Sequence, residues 1–361
     1  MTQKTLHIPQ LSALRFFIVL SIVIWHYGRQ LYPLNTNYLF RTQYGNMAVD
    51  LFFILSGFVL TIGNYHKTIK PLLFYADRFA KIYPVYFLTL LYYLIFSHDG
   101  IFFHTFQPMA FIAHLLLLQA WIPNITMSFN TPAWFLSVIV FFYALFPYIN
   151  NRIKNVHTGK LALMTVLIWA ASSALVTHLI NMYSSPSRTF EAFTYYNPFL
   201  HFNAFLMGIC GGILYLRRNK KSANDFWLSA TGIIISVGVL SSIFIMDIPA
   251  IRTIHSSAYN PLLLLFIYSF SVNKTAFTSF LSHTFFFRLG DISFAMYLLQ
   301  KPAMAIYRLI LNHYNVTINF FTLFVYLIVL TAVSYILYIV YEKPLRPLIL
   351  SYFASRRLIS G

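Results

Sequence analysis

Long apolar segments alternate with short polar connections along the whole chain. A helix that crosses the ~30 Å hydrocarbon core of a bilayer needs ~20 mostly apolar residues. Ten segments come close to that requirement, and we predict a membrane-spanning helix in each. They are 11–28, 47–64, 79–97, 134–150, 161–180, 197–216, 227–246, 258–271, 289–312 and 318–341. An eleventh segment, 109–121, is short and is predicted to be re-entrant or interfacial.

The composition agrees with a membrane protein. Hydrophobic residues make up 59% of the chain and charged residues only 9%, whereas about 25% of the residues of a soluble domain are charged. We therefore predict an all-α fold, a polytopic membrane bundle of about ten transmembrane helices. With no linker or repeat in the sequence, residues 1–361 are expected to form a single integral membrane domain.

The positions of lysine and arginine predict the topology, because cytoplasmic connections carry the positive excess. With a cytoplasmic N-terminus and no crossing at 109–121, the only basic residues in external connections are Arg29, Arg41, Arg188 and Arg252. A crossing at 109–121 would move the basic blocks at 152–160 and 217–221 outside. We therefore predict ten crossings and two cytoplasmic termini. The first helix lacks a small-residue cleavage site, so it is expected to be retained.

The net charge and the cysteine content exclude some classes of function. The net charge of +17 is spread over predicted cytoplasmic turns, so topology accounts for it and nucleic-acid binding is not expected. The single cysteine, Cys210, excludes an internal disulfide and a multi-cysteine metal site. The twelve histidines show no ligand spacing, so no metal is expected.

The first predicted helix carries two ionisable residues, Arg15 and His26. They are eleven positions apart, which on an α-helix places them on one face and about 16 Å apart along the axis. Ionisable side chains in a membrane span usually face the bundle interior or a water-filled cavity. A neutral imidazole can take a proton from a hydroxyl, so His26 is a candidate general base. The alternative is a polar histidine satisfied near the membrane interface.

Asp50 opens the second predicted helix, at about the depth of His26 in the predicted topology. A carboxylate there can orient a catalytic imidazole, which makes Asp50 a candidate partner of His26. The alternative is an acid favoured by the helix N-terminus. Gly57, in the same helix, is expected to allow close helix packing.

Arg78 and Lys81 lie three positions apart at the predicted cytoplasmic end of the third helix, so they share a face. Such a basic pair suits a ligand that carries phosphate. Positive-inside topology is the alternative explanation. Asn203, Asp291 and Glu342 in later segments indicate a hydrated bundle interior.

Six motifs in order resemble the acyltransferase 3 family of integral membrane acyltransferases. The motifs are Arg15 with His26, AVDLFFILSGFVL at 48–60, RFAKIYPVY at 78–86, TPAWFLSVIVFFYALFP at 131–147, LGDISFAMYLLQKP at 289–302 and EKPLRP at 342–347. The resemblance implies a ten-helix enzyme that moves an acyl group, usually acetyl, from cytoplasmic acyl-coenzyme A to a carbohydrate hydroxyl across the membrane. By this resemblance, Arg15 and His26 match the essential pair of the family, and Arg78 and Lys81 match its basic pair.

The chain also departs from the family pattern. Members often have a glutamate at the position of Ile139, and an arginine and a glutamate at those of His201 and Ala204. These departures leave Asp50 as the expected partner of His26. The implied acceptor is a surface carbohydrate such as lipopolysaccharide O-antigen or exopolysaccharide, either free or lipid-linked, and the implied location is the bacterial inner membrane. A transporter or flippase of a lipid-linked sugar and an inactive assembly scaffold remain the alternatives.

Overall fold

A computed structural model describes residues 8–96, 106–182, 187–218, 225–246 and 254–358, and the structural statements below concern these residues. They contain helices and turns and no strand. Arg252, residue 97 of the third predicted helix and residues 219–221 of a basic block lie outside the described residues.

The described α-helices vary from five to thirty residues in length. In chain order they are α1 Pro9–Gly28, α2 Tyr38–Thr42, α3 Tyr44–Asn64, α4 Pro71–Phe96, α5 Pro108–Leu115, α6 Trp134–Ile153, α7 Thr158–Met182, α8 Arg188–Tyr196, α9 Pro198–Arg217, α10 Asp225–Met246, α11 Asn260–Val272, α12 Ala276–Leu281, α13 Thr284–His313, α14 Phe320–Leu337 and α15 Lys343–Leu358. Short 3₁₀ helices precede α6 and α11, and a π-helical turn, Tyr338–Glu342, joins α14 to α15.

Eight helical stretches of the described chain are long and apolar enough to cross a membrane. They are Pro9–Gly28, Tyr44–Asn64, Pro71–Phe96, Thr131–Ile153, Thr158–Met182, Arg188–Arg217, Asp225–Met246 and Phe320–Phe353. This confirms the predicted all-α polytopic membrane fold.

Two predicted spans are not among these eight stretches. The segment 258–271 lies in a shorter apolar helix, Ser256–Val272. The segment 289–312 lies in α13, which has 30 residues but carries several charged side chains, among them Asp291 and Lys301. The count of ten crossings therefore stays a prediction. The segment 109–121 contains α5, whose eight residues extend only about 12 Å.

The chain divides into two units, which we describe separately. The first comprises Met1–Thr68, Asn150–Ser187 and Phe199–Gly290. In this unit α1 and α11 both pack against α3, and α10 packs against α11. The N-terminal half of α1 contacts α12, where a side-chain amide oxygen of Gln10 accepts a hydrogen bond from Ser282 at 3.4 Å.

Glycines bring α3 and α9 into close contact within this first unit. A β-carbon on Gly57 would lie 2.4 Å from the carbonyl oxygen of Phe205, and one on Gly208 would lie 2.0 Å from the carbonyl oxygen of Ile54. No side chain larger than hydrogen fits at these separations. Small residues are the usual means by which membrane helices approach each other closely, and Gly57 therefore has the packing role expected from the sequence.

Gly208→Ala is expected to destabilise the protein, because the new methyl group would meet the backbone of α3 and force the helices apart. Overpacking of this kind lowers the free energy of unfolding by ~1–3 kcal/mol. The measurement is thermal unfolding of the purified protein in nanodiscs. Gly63→Ala in α3 is the matched control, since a β-carbon there meets nothing within 4 Å. Equal melting temperatures for the two variants would contradict the close contact.

The second unit comprises Ile69–Ile149, Arg188–Pro198 and Asp291–Gly361. In it α4 packs against α15 and α5, and α8 packs against the 3₁₀ turns that follow α5. The hydroxyl of Tyr86 donates to the carbonyl of His114 at 2.6 Å, and that of Tyr83 donates to the carbonyl of Leu115 at 3.0 Å. The Tyr83 bond satisfies a carbonyl that a helix end leaves without an intrahelical partner, and the Tyr86 bond adds to the backbone bond that His114 already accepts from Leu117.

Candidate active site

Helix α1 carries both Arg15 and His26 without interruption. It begins with Pro9 in its first turn and continues to Gly28, so the expected common face and separation of about 16 Å apply. Both side chains are partly buried and both have interaction partners. The helix therefore presents a cation and an imidazole at its two ends.

Trp25 fixes the last turn of α1 next to His26. Its indole N–H donates to the carbonyl oxygen of Phe40 at 2.7 Å, and its ring centroid lies 4.8 Å from that of His26. A β-carbon on Gly45 would lie 2.6 Å from the indole ring, so Trp25 lies flat against the start of α3. The guanidinium group of Arg29 stacks on the Trp25 ring, and its central carbon lies 4.5 Å from the ring centroid. These contacts leave the backbone beside His26 little freedom.

Asp50 lies at the centre of a buried polar cluster. One carboxylate oxygen is 3.1 Å from Nδ1 of His201, in α9. The other accepts a hydrogen bond from the hydroxyl of Ser256 at 2.8 Å. All three side chains are buried. Because a buried carboxylate is strongly destabilising without partners, this arrangement links α3, α9 and the 3₁₀ turn before α11.

The cluster continues through His255 and Ser257. Nδ1 of His255 accepts from the backbone N–H of Ser257 at 3.2 Å, and the hydroxyl of Ser257 donates to that of Ser173 at 3.0 Å. Burial lowers the pKa of His255 to about 4, against the raising effect of the Asp50 charge. His255 is therefore neutral at physiological pH, which agrees with its role as an acceptor.

The structure gives the Asp50 carboxylate two partners, His201 and Ser256, that were not expected from the sequence. The expectation that Asp50 orients His26 stays a prediction. From the sequence, His201 was noted only as a departure from the family arginine, and Ser256 was not singled out. An imidazole and an arginine share one property here, since either can donate an N–H hydrogen bond to the carboxylate.

In the second unit, Arg78 is held by Asp77, which also binds Arg346. Nε of Arg78 donates to one carboxylate oxygen of Asp77 at 3.1 Å, and Nη2 of Arg346 donates to the other at 2.7 Å. The Arg78 guanidinium also lies over the rings of Phe74 and Tyr143, at 5.5 and 5.7 Å. The Asp77 carboxylate thus partly neutralises the charge of Arg78. The sequence pattern did not predict this pairing.

A cavity of about 470 Å³ opens beside Arg78. Its walls come from α4, α6 and the end of α5, and they include Phe79, Tyr143 and Leu117. Leu117 has a φ of 58°, a left-handed conformation uncommon for residues other than glycine. The cavity is mostly apolar, and Arg78 is its only charged wall residue among the described ones.

Lys81, one turn beyond Arg78, interacts electrostatically with Glu342. Glu342 is buried in the π-helical turn, a conformation often found at functional sites. Arg78 and Lys81 therefore face different carboxylates. Over the described part of the chain, no three histidine, cysteine or acidic residues form a group that could hold a metal ion.

These features define an integral membrane protein with charged and polar clusters inside its helical units. Residues 8–339 match the sequence model of the acyltransferase 3 family, described as an acyltransferase domain. The chain belongs to this family and is an acyltransferase. Membership favours the enzyme over the transporter considered from the sequence.

Named relatives agree with this assignment. Acyltransferase MdmB of Streptomyces mycarofaciens is 27% identical over 329 residues, which cover 83% of this chain and 80% of that protein. ORF330 of Acidianus two-tailed virus, whose acetyltransferase designation is provisional, is 28% identical over 59% of each chain. Protein 2 of the picA locus of Rhizobium radiobacter is 52% identical over 48 residues, 12% of this chain and 25% of its own. No solved structure matches the chain with significance.

Proposed function

We propose that this protein transfers an acyl group, normally acetyl, from cytoplasmic acyl-coenzyme A to a hydroxyl of a cell-surface carbohydrate. The acceptor is a glycan such as lipopolysaccharide O-antigen or exopolysaccharide, and the location is the bacterial inner membrane. The observation that carries the proposal is α1, an uninterrupted helix that holds Arg15 and His26, the two residues that resemble the essential pair of the family.

His26 acts as the general base in this proposal. Its imidazole takes the proton of the acceptor hydroxyl while the oxygen attacks the thioester carbonyl, and the proton then goes to the departing coenzyme thiolate. Transient acylation of His26 itself is the alternative course. Arg15, about 16 Å along the same face, binds polar groups of the donor. Asp50 positions His26 in this proposal, because its hydrogen bonds to His201 and Ser256 fix α3, the helix that packs against α1.

Arg78 and Lys81 are proposed to bind the phosphates of the donor. Arg78 offers a guanidinium at the wall of a mostly apolar cavity, where a bidentate contact with phosphate is strong. The Arg78 guanidinium already donates a hydrogen bond to Asp77, so the donor phosphate competes with this carboxylate. Arg346 can retain Asp77 when the donor binds.

Arg78→Lys is expected to raise the KM for acetyl-coenzyme A about tenfold with a smaller effect on kcat, because lysine cannot make the bidentate contact. The measurement is the rate of coenzyme A release against donor concentration. Arg346→Lys is the matched control, since Arg346 binds the same Asp77 but lies outside the cavity wall. An equal rise in KM for both variants would assign the effect to Asp77 rather than to the donor.

The acceptor class is tested by incubating the protein in nanodiscs with radiolabelled acetyl-coenzyme A and a crude envelope glycan fraction. We expect release of coenzyme A together with label on the glycan. Label on lipid alone, or no turnover with any glycan fraction from a folded protein, would contradict a carbohydrate acceptor.

A further inference from the structure

The first unit contains a second cavity, of about 460 Å³, which is open on one side and is lined by α1, α2, α3, α10 and α11. Ser21 of α1, Tyr44 and Leu51 of α3, and Ser241 and Phe244 of α10 contribute to its wall. Its volume falls in the ~300–1,000 Å³ range of small-molecule sites. The wall is almost wholly apolar, with hydroxyls as its polar groups, so it suits a hydrocarbon chain and does not suit a nucleotide or a sugar.

Aromatic contacts connect this cavity to the neighbourhood of His26. Ring centroids of Phe40 and Tyr44 are 4.9 Å apart, and those of Tyr44 and Phe244 are 5.7 Å apart. The carbonyl of Phe40 accepts the indole hydrogen bond of Trp25, whose ring lies against His26. Trp25 therefore contacts both the wall residue Phe40 and the candidate base.

Two arginines lie at this same end. Arg41 directly follows Phe40 and is exposed. Arg29 donates to the carbonyl of Arg41 at 3.4 Å and stacks on Trp25. Among the described residues, neither arginine forms an ion pair with a carboxylate. Both lie in a connection predicted to be external, where positive residues are scarce and topology does not account for them.

We propose that this surface binds the acceptor as a lipid-linked saccharide, a long apolar chain joined to the sugar through phosphate. The chain occupies the cavity, the phosphate lies against Arg29 and Arg41, and the sugar extends toward His26. Apolar burial and arginine–phosphate pairing supply the two kinds of recognition that such a molecule needs. The inference rests on the proposed function and specifies its acceptor.

The test measures binding without acyl donor, so that it is independent of turnover. Radiolabelled farnesyl diphosphate serves as the probe, with farnesol and inorganic diphosphate as competitors, on the full-length protein in nanodiscs. Ser241→Trp fills the cavity. Ser242→Trp is the matched control, because both serines are exposed on α10 but only Ser241 belongs to the cavity wall. Protein-free nanodiscs report partition into lipid.

Ser241→Trp is expected to weaken probe binding at least about tenfold relative to Ser242→Trp, equivalent to the loss of about two buried methylene groups. Arg29→Gln with Arg41→Gln is expected to weaken farnesyl diphosphate binding about tenfold and to leave farnesol binding unchanged. Equal binding by Ser241→Trp and Ser242→Trp would overturn the proposal. Equal competition by phosphatidylglycerol would also overturn it and assign the cavity to an ordinary membrane lipid. If the probe binds as expected and no label reaches any glycan, the proposed function fails while the site stands.

Discussion

Replacing His26 with alanine is expected to lower acyl transfer by ~10²–10⁴-fold, the usual contribution of a general base. The alanine side chain cannot accept the hydroxyl proton, and Trp25, whose ring lies against that of His26, cannot accept it either. The measurement is label transfer from acetyl-coenzyme A to the glycan fraction, with the amount of inserted protein determined for each variant.

His313→Ala is the control, since His313 is exposed in the last turn of α13. Added imidazole provides a second test. It is expected to restore part of the rate of the His26→Ala variant, because a small base can occupy the space left by the side chain, whereas a purely structural role would not be rescued. A variant that retains half of the wild-type rate would exclude His26 as the base.

The helices themselves were predictable because hydropathy is a local property. The segments 11–28 and 47–64 correspond to Pro9–Gly28 and Tyr44–Asn64, each two or three residues longer at its start. Hydropathy was less informative for α13, because Asp291 and Lys301 reduce the apolar character of a helix that is nevertheless 30 residues long. A helix can be long enough to cross a membrane and still contain charged residues that lower its hydropathy. A hydropathy pattern does not separate these two properties.

The partners of the candidate residues were not predictable in the same way. His201 and Ser256 are 151 and 206 positions from Asp50, and no spacing rule connects residues so far apart. The predicted topology placed Asp50 and His26 at one depth, but depth alone does not decide which neighbouring helix a side chain faces. The packing of the helices decides which neighbour a side chain faces. Here the close contact between Gly57 of α3 and Gly208 of α9 turns that part of α3 toward α9.

The partners of the basic pair, Arg78 and Lys81, were also not predictable from the sequence. Arg78 and Lys81 share a helical face, as the three-residue spacing predicts. The sequence nevertheless gave no sign that Asp77 binds both Arg78 and Arg346, which is 269 positions from it. A positive cluster read from sequence is therefore an upper limit on the charge available to a ligand.

Asp50→Leu is expected to lower the free energy of unfolding by ~1–3 kcal/mol, the effect of leaving buried donors without their acceptor. The substitution leaves His201 and Ser256 without their acceptor in a buried position. The measurement is the unfolding of the protein in nanodiscs or bicelles. Asp225→Leu is the control, because Asp225 lies in the first turn of α10 and contributes only the ~0.3–1 kcal/mol of a helix-terminal charge.

A double-mutant cycle distinguishes the cluster from a general loss of packing. If Asp50 and His201 form one polar unit, Asp50→Leu with His201→Leu should be ~0.5–3 kcal/mol less destabilised than the sum of the single variants, since neither member of the pair is then left facing a missing partner. The loss of the Ser256 bond is common to both Asp50 variants and cancels in the cycle. Strictly additive values would show that the pair has no coupling. Activity adds a second criterion, which separates positioning of the helices by Asp50 from a direct action on the imidazole of His26. Asp50→Asn, which keeps the shape and one acceptor oxygen, should then retain more turnover than His26→Ala, whereas a carboxylate that acts directly on the imidazole would make the two losses equal.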